Sequence, residues 1–381
     1  MTNIHLLSSN NRPTNTQWHW KNITWNNTIL QTAWTSSNAS SIMELQSNGW
    51  LAFVPYYNVL GKSVNDTMRA IAENYRTLQL HSITRMHIEY VLAMRRWVKP
   101  QDLTDVFSHP QALLQTTQER QKIIPHAQPQ HAKSTAEWLE IILNAENEKR
   151  NIAAVTTPFQ IYPKELDQLT IIDDFWPKNN NTYFALLWLR DTDIDIPRLI
   201  SSPNHEIISE EAIRFWVLTI PNYPGSLCDT LGKISAHGID IMSIMSFPQS
   251  DDTVIFTIAY NDEQLPGNNP RIRINKVNPV IDQIQSDDNQ QFSARIHIPN
   301  NNRGSLHCTL SFLKQTVNLH EIASIGTGMD TVDFEIKFSL LSAITDDIEN
   351  MLNKLFLDPC MPWEIIRPTA EEIRSILHNL H

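Results

Sequence analysis

The sequence predicts an α/β protein in which an α/β region is followed by a tandem repeat. Residues 1–192 alternate short apolar runs with amphipathic stretches, a pattern typical of strands alternating with helices in mostly parallel sheets. A polar linker over residues 191–211 contains Pro197 and Pro203. Beyond it, a unit of strand, turn, helix, strand and strand occurs twice. At 381 residues the chain is long enough for two or three domains, each with its own core.

Local patterns define the predicted elements of residues 1–192. An apolar run over residues 51–55 predicts a buried strand that ends at Pro55, and apolar residues at helical spacing predict a helix within residues 64–78. Ser134, with Glu137 three residues later, forms a capping-box pattern that predicts a helix over residues 134–144. The other predicted elements are strands over residues 106–107, 152–155 and 182–189, and a helix over residues 110–121.

Both copies of the repeat carry Gly-Ser-Leu between an apolar strand and a helix. These tripeptides are residues 225–227, after a strand over residues 215–220, and residues 304–306, after a strand over residues 292–298. A further alternating strand follows in each copy, over residues 254–259 and 332–338, and Ser246 and Ser324 hold equivalent positions. The polar segment 261–291 between the copies is not assigned to an element. The predicted domains are therefore residues 1–192, 212–285 and 290–368, with a tail over residues 369–381.

Composition and charge exclude several classes of protein. The formal net charge of −11 argues against sequence-independent nucleic-acid binding, which needs clustered Lys and Arg. No run of 18 apolar residues predicts a transmembrane helix, and the first residues do not resemble a secretory signal. Cys228, Cys308 and Cys360 are odd in number and widely spaced, which argues against a disulfide framework and a zinc site. These features together predict a cytoplasmic location without membrane association.

The C-terminal repeat resembles the ACT module, a ferredoxin-like βαββαβ unit that often binds amino acids at a module interface. Residues 224–227 read Pro-Gly-Ser-Leu where that family has Pro-Gly-Ala-Leu, and residues 238–241 read Gly-Ile-Asp-Ile where it has Gly-Ile-Asn-Leu. A helix that begins here offers free backbone N–H groups to a carboxylate. The resemblance implies an effector site at Pro224, Gly225, Ser226 and Leu227, although a plain helix-start turn explains the same residues.

The first 192 residues resemble the prephenate dehydratase catalytic domain. Residues 107–113 read Phe-Ser-His-Pro-Gln-Ala-Leu, and this run matches the family's Ser-His-Pro-Gln-Ala-Leu almost letter for letter. Residues 55–58 and 63–67 read Pro-Tyr-Tyr-Asn and Ser-Val-Asn-Asp-Thr, where the family has Pro-Ile-Glu-Asn and Ser-Val-Asn-Glu-Thr. Residues 134–136 read Ser-Thr-Ala as in the family, and residues 180–184 read Asn-Asn-Thr-Tyr-Phe where it has Asn-x-Thr-Arg-Phe. The resemblance implies a periplasmic-binding-protein-like domain of two α/β lobes, with the active site in the cleft between them.

The same resemblance, combined with the chemistry of prephenate, suggests site residues. Thr182 stands at a position that the family uses for dehydration, Asn58 can hold a hydroxyl or keto oxygen, and His109 can donate a proton. Short hydroxyls at helix starts suit the two carboxylates of prephenate. The expected substrate-binding residues are Ser108, Gln111, Ser134, Thr135, Tyr57 and Tyr183. No cofactor and no metal are implied, and each of these residues also has an ordinary structural explanation, such as a helix cap, a turn or a strand position.

Departures from the family pattern point away from its usual reaction. The family opens with a Gly-Pro-x-Gly-Thr-Phe segment, whereas the corresponding residues 6–13 of this chain contain no glycine. Gly61 and Lys62 lie one position away from the place of the family's glycine. Tyr57 replaces a glutamate and Tyr183 replaces an arginine, so a carboxyl group and a bidentate carboxylate partner are both gone. Without the means to protonate a leaving hydroxide, the chain is expected to release CO2 and keep the ring hydroxyl.

Three functions follow as hypotheses. The favoured one is a prephenate decarboxylase whose product is non-aromatic and serves secondary metabolism; the second is a prephenate dehydratase; the third is a non-catalytic ligand-binding protein.

Residues 245–248 read Met-Ser-Phe-Pro where the family binds phenylalanine through Glu-Ser-Arg-Pro, so weak or no inhibition by phenylalanine is expected. A homodimer or dimer of dimers held through residues 212–360 is expected, with a monomer whose modules pair internally as the alternative.

Overall fold

The computed structural model describes residues 2–7, 24–25, 30–35, 40–43, 51–132, 141–144, 150–189, 199–200, 206–207, 213–236, 239–248, 253–261, 271–273, 280–286, 291–298, 304–327, 332–341 and 364–366. The chain forms two compact units. Unit 1 comprises Met1–Ala70, Arg76–Ile208 and Thr327–Asp330, and unit 2 comprises Ile71–Tyr75, Ser209–Gly326 and Thr331–His381. Within the described ranges, no helix is both long enough and apolar enough to cross a membrane.

The elements of the N-terminal part are short strands and a few helices. The strands are β1 Thr2–Leu7, β2 Thr24–Trp25, β3 Leu30–Thr35, β4 Leu51–Asn58, β5 Lys62–Ser63, β6 Leu78–His87, β7 Val91–Arg95, β8 Asp105–Ser108, β9 Gln128–His131, β10 Ile152–Thr156, β11 Leu169–Ile172, β12 Asn181–Leu189, β13 Leu199–Ile200 and β14 Glu206–Ile207. The helices are α1 Asn65–Asn74, α2 Pro110–Gln115 and α3 Thr117–Ile123, with 3₁₀ turns at Pro100–Asp102, Pro158–Gln160 and Pro163–Glu165.

Two mixed sheets form the framework of unit 1. One has the order β14-β6-β12-β4-β1-β3, with β5 on β4, and the other has the order β11-β7-β10-β8-β9. Only β1 with β3 and β4, and β8 with β9 and β10, pair in parallel; the other neighbours are antiparallel. The prediction of mostly parallel sheets is therefore wrong. The chain crosses between the sheets at residues 88–90 and again at residues 173–180, and the returning β12 inserts antiparallel between β4 and β6.

Strand β4 continues through Pro55 instead of ending there. Its pairing with β12 shifts register between Tyr183 and Phe184, which face Tyr57 and Pro55, so that Tyr56 is the extra residue of a bulge. Proline is tolerated in a strand at a bulge, because no ladder hydrogen bond from its nitrogen is needed there. The strand therefore carries Tyr57 and Asn58 beyond the proline.

Other predicted elements differ in their limits. The single helix expected over residues 110–121 is two helices that meet at Thr116. Part of the expected linker belongs to a sheet, since Glu206 and Ile207 pair with Arg85 and Thr84 of β6. Residues 133–140, which include most of the predicted helix that begins at Ser134, lie outside the described residues, as does the tail over residues 369–381.

One apolar core serves both sheets of unit 1. It combines Phe53 of β4 and Phe184 of β12 with Leu92 of β7, Val106 of β8 and Leu113 of α2, all of them buried. The rings of Phe53 and Phe184 stack with their centroids 5.2 Å apart. Because these side chains come from both sheets, the ends of β4, β12 and β8 are held by the same packed layer.

The repeat prediction is confirmed in unit 2, where each copy has a strand, a helix and two strands. The elements are β15 Ile213–Pro221, α4 Ser226–Ala236, β16 Asp240–Pro248, β17 Thr253–Asn261, β18 Arg271–Arg273, β19 Val280–Ser286, β20 Phe292–Ile298, α5 Ser305–Leu313, β21 Val317–Gly326, β22 Val332–Leu340 and β23 Glu364–Ile366. One sheet has the order β15-β17-β16-β21-β22-β20-β19, and β18 pairs with β23 apart from it. Strand β19, from the segment left unassigned, lies against β20 of the second copy.

The two copies join through equivalent serines. Ile244 N–H donates to Ser324 Oγ at 2.8 Å, and Ile322 N–H donates to Ser246 Oγ at 2.8 Å. Between them, Met245 of β16 pairs with Ala323 of β21 in antiparallel register. The reciprocal bonds give this joint a local twofold symmetry within one chain, and it covers the facing edges of β16 and β21.

The glycines of the two Gly-Ser-Leu tripeptides share one backbone conformation. Gly225 has a φ of 89° and Gly304 a φ of 78°, both in the left-handed region that glycine enters at little cost. Each lies immediately before its helix. The repeated glycine is thus explained by the backbone at the start of α4 and α5.

The number and spacing of the cysteines argued against a disulfide framework, and they did not indicate the one disulfide bond that the structure contains. Cys308 is disulfide-bonded, whereas Cys228 is free and buried. Spacing along the chain does not fix distance in the fold, so a single bond can form where no framework of spaced cysteines is apparent.

Candidate functional site

Asn58 ends strand β4, and its side chain makes four hydrogen bonds. Its Nδ2 donates to Asn180 Oδ1 and to Thr182 Oγ1, both at 2.9 Å. Its Oδ1 accepts from the backbone N–H groups of Leu60 at 2.9 Å and Gly61 at 2.8 Å. A carboxamide has two N–H hydrogens and two oxygen lone pairs, so all of its capacity is used. The two backbone donors also fix which end is the oxygen.

Thr182 faces Asn58 across the antiparallel pair of β4 and β12. Its Oγ1 accepts from Asn58, which leaves the hydroxyl proton to be donated elsewhere. No acceptor for that proton is present among the residues that the structure describes, and the residue is 9% exposed. The geometry therefore presents the Thr182 hydroxyl as a donor.

A chain of neutral side chains continues from Asn58 to helix α2 and to the segment that precedes β7. Asn180 Nδ2 donates to the Ile88 carbonyl at 3.1 Å and to Gln115 Oε1 at 3.3 Å. The hydroxyl of Tyr90 donates to the same Gln115 oxygen at 2.9 Å. Burial raises the pKa of Tyr90 well above its usual value, so this group remains a protonated donor. The chain joins the site to both segments that cross between the sheets.

Tyr57 and Tyr183 are direct cross-strand partners beside Asn58 and Thr182. Their ring centroids are 6.1 Å apart, and Tyr56 lies 6.5 Å from Tyr183. Tyr57 is fully buried and Tyr183 is 6% exposed. The two departures identified in the sequence thus fall on one pair, and a pair of aromatic side chains occupies the positions where the resembling family has a carboxylate and a guanidinium.

Ser108, His109 and Gln111 lie where β8 passes into α2. The Ser108 hydroxyl donates to the Val155 carbonyl at 2.7 Å, and His109 Nδ1 accepts from the Gln111 N–H at 3.3 Å. Burial, with a smaller effect of His131, lowers the pKa of His109, so its ring is neutral at pH 7 and carries its proton on Nε2. A neutral imidazole donates a hydrogen bond, but it is a poor supply of protons for a leaving hydroxide.

Gly61 allows the close approach of α2 to the end of β4. A Cβ added at Gly61 would lie 2.9 Å from Gln111 Nε2, 3.4 Å from Gln115 Nε2 and 3.5 Å from Asn58 Oδ1. The next residue, Lys62, has a φ of 61°, a conformation that favours glycine. The structure therefore brings Asn58, Thr182, Tyr57, Tyr183 and Gln111 together, while Ser134 and Thr135 lie outside the described residues.

A cavity lies at the joint between the two copies in unit 2. Three of the four expected effector residues, Gly225, Ser226 and Leu227, line it on one side, and Lys314, His320 and Glu321 line it on the other. The fourth, Pro224, is exposed. In the described ranges, no group of three or more His, Cys, Asp or Glu side chains has the arrangement of a metal site.

Asn180, Gln115 and Tyr90 were not singled out from the sequence. Asn180 belongs to the quoted Asn-x-Thr motif, and Gln115 lies four residues after Gln111, on the same face of a helix. Either feature was a usable signal. Tyr90 had none, because a lone tyrosine between two strands is an ordinary core residue.

The first unit is thus an α/β domain of two mixed sheets with a neutral, hydrogen-bonded site at their junction. Residues 21–191 match the family model described as prephenate dehydratase, so this part of the chain is similar to that family.

Solved structures show weaker likeness. A prephenate dehydratase from Arthrobacter aurescens in complex with L-Phe is 18% identical, with 68% of this chain and 80% of that chain covered and a TM-score of 0.47. The enzyme from Staphylococcus aureus is 17% identical, with coverage of 69% and 89% and a TM-score of 0.43. GqqA, titled a quorum quenching acylase, is 17% identical, with coverage of 68% and 87% and a TM-score of 0.44. No curated protein gave a significant sequence match.

Proposed function

We propose that this chain is a lyase that acts on prephenate at the junction of the two sheets of unit 1. The observation that carries the proposal is the Thr182 hydroxyl, which lies in the family's Asn-x-Thr segment and is turned into a donor by Asn58. A hydroxyl held in this way can bind the ring hydroxyl of prephenate. No cofactor is required by this chemistry.

Decarboxylation without dehydration is the favoured reaction. The C–CO2 bond breaks, its electron pair moves into the ring, a ring carbon takes up a proton, and the ring hydroxyl stays. The product is a dihydro-4-hydroxyphenylpyruvate. Two features support this choice: the aromatic pair Tyr57–Tyr183 has no ionisable carboxylic acid, and the lowered pKa of His109 leaves it neutral at pH 7. Neither supplies the strong acid that loss of hydroxide requires.

Dehydration to phenylpyruvate is the second candidate function. The observation in its favour is Thr182 itself, which occupies the family's dehydration position with its proton free to be donated to the ring hydroxyl. A non-catalytic ligand-binding protein is the third possibility, and it has no feature of its own in the site that favours it.

Incubation with prephenate is expected to consume the substrate without producing phenylpyruvate. Because the favoured reaction keeps the hydroxyl, the aromatic enol absorbance that phenylpyruvate shows in base is expected to be absent. Substrate loss is followed by chromatography and CO2 release by a coupled assay. Appearance of the enol absorbance in proportion to CO2 would instead establish the dehydratase, and binding in calorimetry without consumption would establish the binder.

We also propose that unit 2 consists of two ACT-type modules, that the protein is cytoplasmic, and that the cavity by Gly225 is an effector site. Ser246, which stands in the segment that differs from the family's phenylalanine-binding residues, bonds to Ile322 of the other copy. Its hydroxyl is therefore used within the joint.

Phenylalanine at micromolar concentration is expected to leave turnover unchanged, since residues 245–248 offer neither the acid nor the arginine of the family's segment. Inhibition in a steady-state assay would contradict this.

The homodimer also remains a prediction, and it needs a surface other than β16 and β21, because these edges pair within one chain. Light scattering that gives the mass of one chain would contradict the dimer.

A further inference from the structure

We propose that Asn58, Asn180, Gln115 and Tyr90 are positioning residues that hold the Thr182 hydroxyl as a donor, and that Asn58 does not touch the substrate. The proposal rests on the proposed function for the identity of the substrate. It departs from the sequence-based expectation that Asn58 itself holds a substrate oxygen.

The first step is the saturation of Asn58. Its two N–H hydrogens go to Asn180 Oδ1 and Thr182 Oγ1, and its oxygen already accepts from two backbone N–H groups. A substrate atom could bind Asn58 only by displacing one of these four bonds. Displacement would leave a buried partner unsatisfied, since Asn58 is fully buried.

The second step is the direction of the bonds. Backbone groups set the polarity at two points: the N–H groups of Leu60 and Gly61 require an acceptor from Asn58, and the Ile88 carbonyl requires a donor from Asn180. With these ends fixed, Asn180 must present Oδ1 to Asn58, and Asn58 must present an N–H to Thr182. The hydroxyl proton of Thr182 is therefore directed away from Asn58.

The third step is the support from helix α2 and from the segment that precedes β7. Gln115 Oε1 accepts from both Tyr90 and Asn180, so it holds the Asn180 carboxamide from the side opposite Asn58. Gln115 is 2% exposed and Tyr90 is 4% exposed, so water does not readily replace these bonds. The orientation of Thr182 thus depends on groups that no substrate reaches.

Asn58→Asp is the decisive variant. An aspartate keeps the oxygen that accepts from Leu60 and Gly61, but its second oxygen accepts where Asn58 donates. This second oxygen then accepts a hydrogen bond from the Thr182 hydroxyl and faces Asn180 Oδ1. We expect kcat to fall about 10²-fold with the prephenate Kd changed less than about threefold. In a Thr182→Val background the same substitution is expected to cost less than about threefold more, because the group it acts through is gone. Asn151→Asp, at an exposed position, is the matched charge control.

The pH profile separates positioning from a general structural defect. When the carboxyl group introduced by Asn58→Asp is protonated, it regains one O–H donor, so the activity of this variant relative to the wild type is expected to rise as pH falls. Position 58 is fully buried and the carboxylate anion would face the Asn180 oxygen, and together these effects raise the pKa of the introduced carboxyl group in the folded state above its unfolded value. The folded variant then binds more protons than the unfolded chain, so its stability relative to the wild type is expected to increase as pH falls.

Tyr90→Phe is expected to lower kcat several-fold with unchanged Kd.

Three results would overturn the proposal. One is a tenfold or larger weakening of prephenate binding by Asn58→Asp at unchanged kcat, which would mean direct contact. The others are an equal loss of kcat in the wild-type and Thr182→Val backgrounds, and a stability difference that does not vary with pH. The stability measurement needs no substrate. If the wild type neither binds nor consumes prephenate, the proposed function fails while the network is still tested.

Discussion

Replacing Thr182 with valine is expected to lower prephenate turnover by about 10²–10⁴-fold, the range for loss of a positioned proton donor. Valine has nearly the same shape, so strand β12 and its pairing with Asn58 are retained. The remaining cost to stability is the unpaired Asn58 N–H, on the order of 1–3 kcal/mol. Steady-state kinetics and thermal unfolding measured on the same preparation separate the two effects.

Thr182→Ser is the conservative control, because it keeps the hydroxyl at the same position. Its turnover is expected to remain within about tenfold of the wild type. Thr170→Val removes the hydroxyl of another strand threonine, one that donates to the Arg96 carbonyl, and is expected to leave turnover unchanged. If Thr182→Val lost activity only in step with its folded fraction, the hydroxyl would have a structural role and no catalytic one.

Restoring charge at the aromatic pair is expected to have the largest effect on stability. Tyr57→Glu or Tyr183→Arg alone places an unpaired charge at a position that is 0% or 6% exposed, which costs about 3–5 kcal/mol. The double variant is expected to lose less than the sum of the two, since the residues are cross-strand partners. Chemical denaturation of all four proteins gives the coupling free energy.

An exposed charge pair provides the comparison. Arg295 and Glu335 face each other across β20 and β22 with their charged atoms 3.2 Å apart, and breaking this pair is expected to cost less than about 1 kcal/mol. If the double variant at Tyr57 and Tyr183 folds and forms phenylpyruvate, the absence of the family's glutamate and arginine at these positions accounts for the change of reaction. Additive destabilisation with no phenylpyruvate would show that the two departures are unrelated.

The sequence predicted features that depend on local pattern. The two copies in unit 2 were found because periodicity and the Gly-Ser-Leu tripeptides are properties of short segments, and the left-handed Gly225 and Gly304 explain why the glycines recur. Strand direction depends on which distant segments pair, so the mixed sheets were not predicted. The continuation of β4 past Pro55 required knowledge of the bulge opposite Phe184.

The candidate site divides in the same way. Asn58 and Thr182 were both named from motifs, but their roles depend on partners 122 and 124 residues from Asn58 along the chain. The saturation of Asn58 follows from bonds to Asn180 and to two backbone groups, which no single-sequence pattern encodes. Likewise, nothing in the sequence indicated that Tyr57 and Tyr183, identified as separate departures, would be neighbours.

Because the joint between the copies in unit 2 forms within one chain, substitutions can accumulate in one copy without appearing in the other. In a homodimer, one gene supplies both sides of a symmetric interface, so every substitution appears twice. Here Lys314, His320 and Glu321 line the cavity beside Gly225, while the equivalent positions of the first copy are Ser235, Met242 and Ser243. A tandem duplication can therefore keep the residues that line this cavity while the equivalent residues of the other copy change. Within one chain, a ligand that depends on Lys314, His320 or Glu321 would then bind one site and show a hyperbolic dose dependence.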